Sequence, residues 1–201
     1  MLKPLGRICL VFLLAFAATA EANDFSTGLA AYKAGNYDAA LATWLPLARA
    51  GNTRAMHNIA LMYRKGIGVK KDVKKSFTYF KYAARKGFHL SQFQIGRMYE
   101  RGQGTPRNTK EAMRWMQKSA VANNPRAQFL VAIWYDRGIG AARDPVKSLT
   151  WHLIASVYAK GKLKKKVDES RKKLQEYLSS RHVSVAYTAY KKYLIEDRLN
   201  D

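Results

Sequence analysis

The 201-residue chain has a single cysteine, Cys9, which lies in its apolar opening stretch. Beyond that stretch no disulfide, redox pair or thiolate nucleophile is available. Carboxylates are scarce: 14 Asp and Glu face 36 Lys and Arg, for a formal net charge of +22. Apolar runs are short too. The one from Ile8 to Ala18 falls well below the roughly 20 residues that span a bilayer, and nothing later is apolar enough to span. Signatures of catalysis are missing. There is no Gly-x-Ser-x-Gly elbow, no Ser-x-x-Lys and no evident carboxylate pair. His57, His89, His152 and His182 share no metal-ligand spacing. These absences point to a non-enzymatic protein with no cofactor and no metal.

The opening stretch has a character of its own. Lys3 and Arg7 precede the apolar run, and small residues follow at Ala18-Thr19-Ala20 and Ala20-Glu21-Ala22. That order describes a secretory signal peptide over residues 1–22, with cleavage expected after Ala20 or Ala22. Cys9 follows Arg7-Ile8, which is not a small-residue acylation context. Export to the periplasm is the expected location, with secretion the second choice. An exported chain has little occasion to meet nucleic acid, so none is expected as a partner despite the positive field.

The body of the chain repeats. MYRKGIGVKKD at Met62–Asp72 returns as MYERGQGTPRN at Met98–Asn108 and as WYDRGIGAARD at Trp134–Asp144. Tyr63, Tyr99 and Tyr135 stand 36 apart, as do Gly66, Gly102 and Gly138, and Gly68, Gly104 and Gly140. A period of this length predicts stacked helix pairs. Ile59, Ile95 and Val131 align as core positions, whereas Ala60, Gly96 and Ala132 keep one position small for close helix approach. Paired glycines suit a tight turn between helices. They lack the third glycine or the Gly-Lys-Ser/Thr of a phosphate-cradling loop. Asp72, Asn108 and Asp144 share a position where an N-cap is expected, with Glu111 placed as a capping-box partner of Asn108. His57 aligns with Phe93 and Phe129, and His152 with Phe80 and Met116, so both read as packing residues.

These residues carry a family likeness. LMYRKGIGVKKDVKKSFTYFKYAARKG resembles the Sel-1-like repeat, a relative of the tetratricopeptide repeat. The likeness covers roughly Ala55–Lys160 and is weaker over Phe25–Gly51. Ser76 and Ser148 stand where alanine is usual, and Asn123 replaces the terminal glycine. The resemblance implies an all-α fold, a right-handed superhelix of antiparallel helix pairs whose concave groove binds other proteins. Cysteine-rich relatives described as penicillin-binding or β-lactam-cleaving rely on disulfide pairs that this chain lacks, so that activity is not carried over.

The expected organisation has a divergent tetratricopeptide-like pair at 23–54, after the signal. Three repeats follow at 55–90, 91–126 and 127–161, with first helices beginning near Ala55, Ser91 and Ala127. Closing helices fill 162–201. Pro46 should kink the second helix or end it early. The run Lys162–Lys166 reads as a loop or a helix start. The stripe Val183, Ala186, Tyr187, Tyr190 and Leu194 predicts an amphipathic last helix. Two basic clusters stand out: Lys70, Lys71, Lys74 and Lys75, and Lys164, Lys165 and Lys166. They are either a solvated surface or contacts for an anionic partner. The leading expectation is an envelope adaptor that binds a protein. The alternative is electrostatic attachment to peptidoglycan or anionic lipid. A cell-wall or β-lactam hydrolase is the least supported reading.

Overall fold

Ten helices form along residues 25–198, the part described by the computed structural model, and no strand occurs among the described residues. The expected signal segment lies outside them. The helices are α1 (residues 25–33), α2 (Tyr37–Arg49), α3 (Thr53–Lys65), α4 (Val73–Arg85) and α5 (His89–Arg101). After these come α6 (Thr109–Val121), α7 (Pro125–Arg137), α8 (Pro145–Tyr158), α9 (Gly161–Glu176) and α10 (Ser180–Arg198). The described residues divide into two units, with the boundary between Lys86 and Gly87.

Why helices start and stop here is a local matter. Asp72, Asn108 and Asp144 sit in extended backbone and accept hydrogen bonds from the amides of Lys75, Glu111 and Lys147 at 2.9, 3.0 and 2.9 Å. Each such cap is worth about 1 kcal/mol. Their own amides donate to the carbonyls of Tyr63, Tyr99 and Tyr135, each at 2.9 Å. That last bond removes the expected capping box. With the Asn108 amide already engaged, the Glu111 carboxylate turns to Arg114 at 3.5 Å.

The preceding helices end on Gly66, Gly102 and Gly138, all left-handed with φ of 71°, 67° and 68°. Side-chain-bearing residues find this conformation costly. Asn123, standing in for a glycine, takes φ 55° as asparagine tolerates. The first helices of the repeats begin at Thr53, His89 and Pro125, each two residues ahead of the expected start. Asn52 and Asn124 cap two of these starts with their side chains.

Unit 1 is built on α2, α3 and α4. Trp44, Ile59, Met62 and Phe80 are its largest fully buried side chains. The Trp44 indole stacks on Phe25 at 5.9 Å and donates to the Phe25 carbonyl at 3.2 Å. Pro46 does not end α2, which runs on to Arg49. Pro46 and Ala42, whose carbonyl it leaves without an amide, both face solvent, where water can serve that carbonyl. Ser76 explains its departure from alanine: its hydroxyl donates to the Ala60 carbonyl at 2.8 Å, tying α4 to α3.

Unit 2 pairs α5 with α6 and α7 with α8. A Cβ on Gly96 would sit 3.0 Å from the Met116 methyl and 3.2 Å from the Ala112 carbonyl, so this position sets how closely α5 and α6 approach. Met113, Met116, Val131 and Trp134 join α6 and α7 in one cluster. The last two helices both lie on α8. Val167 meets Ala155 and Ala159, while Leu174, Val183, Ala186, Tyr187 and Tyr190 gather around Leu149 and Leu153. The Lys162–Lys166 run lies in the first two turns of α9.

Candidate functional site

Among the described residues no group of three His, Cys, Asp or Glu is placed to hold a metal ion. No helix there is long and apolar enough to cross a membrane. What the fold does assemble is one exposed aromatic and basic face, and one polar pocket.

The face belongs to unit 1. Lys75, Thr78, Tyr79 and Tyr82 lie along one side of α4, at the spacing that brings side chains into line on a helix. The Tyr63 ring stacks on Tyr79 at 5.9 Å and 10°, and the Lys75 ammonium sits 5.3 Å from the Tyr63 ring centre. These residues wall a depression of about 400 Å³. Tyr79 and Tyr82 continue into a second one of about 310 Å³, closed by Leu45, Arg49 and Met56. Beyond Tyr82 a third holds Phe77, Lys81 and Arg85. No carboxylate lines any of the three. Burial, and then the neighbouring Tyr63, push the Tyr79 hydroxyl above the ordinary tyrosine value, so it stays protonated and able to donate. Tyr82 remains 56% exposed, a large apolar area with nothing over it.

Of the lysines singled out in sequence, Lys75 joins this face. Lys70, Lys71 and Lys74 are exposed, and no ion pair engages them among the described residues. Lys165 and Lys166 are exposed as well. Lys164 is exposed too, but its ammonium is already engaged. Its ammonium lies 3.1 Å from Asp168 and donates to both the carbonyl and the hydroxyl of Ser156 at 2.9 Å. The i, i+4 spacing on α9 brings it to Asp168, and its bonds to Ser156 tie α9 to α8 at the surface.

The pocket belongs to unit 2 and was not legible in sequence. It encloses about 450 Å³ and is walled by Asp136 and Arg137 of α7, Arg143 of the following loop, His152 of α8, and Ser170 and Lys173 of α9. Ile133, Leu174 and Tyr177 complete it. His152 packs edge-on against Phe129 at 5.7 Å, as a packing residue should, yet both its ring nitrogens are also engaged. Nδ1 lies 2.9 Å from the Ser148 carbonyl and Nε2 3.0 Å from the Ser170 hydroxyl. A carbonyl can only accept, so Nδ1 carries the proton and Nε2 accepts from Ser170.

Burial of His152, 2% exposed, lowers its pKa, against weaker opposing pulls from the Ser148 carbonyl and Asp136. The folded unit therefore resists a proton that the unfolded chain takes up near the ordinary value of 6.5. More protons bound in the unfolded state means stability that falls as pH falls through that value. Asp144 and Asp168 act only at lower pH. Burial pushes Asp144 up, but bonds from the Lys147 amide and ammonium hold it below 3.8 on balance. The Ser156 hydroxyl, followed by Lys164 and Arg171, does the same for Asp168. Unit 2 is thus expected to lose stability between about pH 7 and pH 5. His152→Met, which installs the residue that repeat two carries at this position (Met116), should flatten that step. Urea denaturation at the two pH values, followed by tryptophan fluorescence, checks both.

Comparison with known proteins accords with this architecture. The family model for the Sel1 repeat matches residues 53–88, 89–124 and 125–156, more than half of the chain. The chain is similar to the crystal structure of a Sel1 repeat protein from Oxalobacter formigenes, with 25% identity and a TM-score of 0.72 over 84% of this chain and 70% of that one. It is also similar in fold to c5321, a protective antigen of uropathogenic Escherichia coli strains displaying an SLR fold. There the identity is 22% and the TM-score 0.59, covering 87% of this chain and 45% of that one, so this chain spans less than half of its length. A search of curated proteins finds no significant match. Three matched repeats and a shared all-α solenoid fold lead to one conclusion: the chain belongs to the Sel1 repeat family, whose repeats serve as scaffolds for protein–protein contact.

Proposed function

We propose that the chain is an exported, non-enzymatic adaptor of the bacterial cell envelope that docks an acidic segment of a partner protein on the α2–α4 face of unit 1. The observation that carries this reading is the run of three depressions sharing Tyr82, edged by Arg49, Lys75, Lys81 and Arg85 and free of carboxylates. Tyrosine and arginine are the residues that interfaces concentrate at their energetic centres. A cationic rim favours a partner of opposite charge and speeds its encounter. Export is supported by the basic, apolar and small-residue order of residues 1–22.

The test is photo-cross-linking in cells through an aryl ketone amino acid at position 82, with fractionation of the envelope. One envelope protein should be captured repeatedly, through an Asp/Glu-rich stretch. Tyr82→Ala in the isolated chain should then weaken its binding by about thirtyfold, the scale of an interface hot spot. Lys75→Glu should slow its association at low salt. Unaltered binding of the captured protein by both variants would remove this face from the reading. A chain that stays in the cytoplasm with residues 1–22 attached would remove the export.

A second reading rests on Lys70, Lys71, Lys74, Lys165 and Lys166, which are exposed and outside any ion pair among the described residues. It is electrostatic attachment to peptidoglycan or anionic lipid. Co-sedimentation that disappears at high salt would favour it, because screening acts on exposed charge.

A further inference from the structure

We propose that the pocket walled by α7, α8 and α9 in unit 2 binds a phosphomonoester carried on a small apolar or aromatic stem. It is a different site from the docking face of unit 1 and stands independently of that reading. Size comes first. About 450 Å³ lies within the range of small-molecule pockets and accommodates a phosphate with one ring or short chain.

Charge narrows the class. Arg137, Arg143 and Lys173 line the pocket against the single carboxylate of Asp136, an excess of two positive charges. A phosphomonoester carries close to two negative charges near neutral pH, whereas a carboxylate carries one. Two guanidinium groups also present planar forks suited to phosphate oxygens.

The pocket is partly set in advance. Arg143 Nε donates to the Asp136 carbonyl at 2.8 Å, and Nη2 lies 3.4 Å from the Asp136 carboxylate. That leaves the remaining guanidinium N–H groups of Arg143 to a ligand while fixing their position. Asp136 thus acts as the tether of a cation, which accounts for a carboxylate in an anion site. The Ser170 hydroxyl in the lining is held by buried His152 at 3.0 Å. With His152 neutral, the Ser170 proton stays in that bond, and the anion's contacts fall to Arg137, Arg143 and Lys173. Asp136, Arg137, Arg143, Arg171 and Lys173 are the charged groups around that ring.

Specificity for a stem comes from the apolar part of the lining. Ile133 and Leu174 line the pocket, and Tyr177, 87% exposed, completes it. An aromatic side chain left in water next to a cationic pocket gains area by closing over a ligand.

The test titrates the purified chain at constant ionic strength with phenyl phosphate, inorganic phosphate and benzoate, using calorimetry and amide chemical shifts. Phenyl phosphate should saturate one site, move amides of α7–α9, and bind about tenfold more tightly than benzoate. Inorganic phosphate should compete for the same site; affinity equal to that of phenyl phosphate would assign the pocket to the free anion and overturn the stem. Arg137→Gln and Lys173→Gln, both on exposed side chains, should each weaken phenyl phosphate by about tenfold. Lys191→Gln on α10 should leave it unchanged. Benzoate binding as tightly as phenyl phosphate, wild-type affinity in both pocket variants, or no saturation would overturn the assignment.

Discussion

Gly140→Ala is expected to lower the stability of unit 2 by about 3 kcal/mol, far beyond the usual effect of one methyl group in a loop. Two costs add. Gly140 has φ 74°, where an L-residue loses about 1 kcal/mol. A Cβ there would also run into the backbone carbonyl of Thr109 and come within 2.8 Å of the Met113 Cβ, at the start of α6. Neither is the loose end of a flexible side chain, so a helix end has to move. Gly138 provides the control. Its φ is 68°, but its added Cβ would meet Arg143 and Ala141 only at ordinary distances of 3.5–3.7 Å. Gly138→Ala should therefore cost only the conformational share, about 1 kcal/mol. Urea denaturation read by tryptophan fluorescence separates the two. Equal losses would mean that close approach to Thr109 contributes nothing. The equivalent position in unit 1 makes the same kind of contact, since a Cβ on Gly68 would collide with the Tyr37 side chain.

Trp134→Ala should cost about 4 kcal/mol, enough to unfold much of unit 2. Trp134 is 2% exposed and packs with Met113, Met116, Ala127 and Val131 between α6 and α7. Truncation leaves a void that these neighbours, held on two helices, can only partly fill. The repeat itself proposes the contrasting variant. Met62 and Met98 occupy this position in the other two repeats, both buried. Methionine is unbranched and adapts to irregular space. Trp134→Met should therefore lose only about 1.5 kcal/mol. A similar loss for both variants, measured by the same denaturation, would show that the cluster collapses freely and that the indole is not what holds α6 to α7.

The basic and aromatic face of unit 1 occupies an intermediate place between what could and could not be read. Its lysines were visible as a cluster, and Tyr63 as a repeat position. The joining of Lys75 and Tyr63 to Tyr79 and Tyr82 depends on how α4 rotates onto α3, which the Ser76–Ala60 bond and the burial of Phe77 and Phe80 decide.

Sequence by itself determined the helix-pair repeat, its glycine turns and its caps. These rest on bonds that close within one loop, from Tyr135 to Asp144 and from Asp144 to Lys147, so residue type and spacing are enough. Even there the capping box at Asn108 failed, because one amide cannot serve both the Tyr99 carbonyl and Glu111. Tertiary structure alone decided the rest. It joined Lys164 to Asp168 and Ser156, gave His152 its Ser170 partner, and laid α9 and α10 on α8. It also gathered Arg137, Arg143 and Lys173 around one cavity. Those groups come from separate helices and loops. Their meeting is set by which faces pack together, a property that no local spacing encodes.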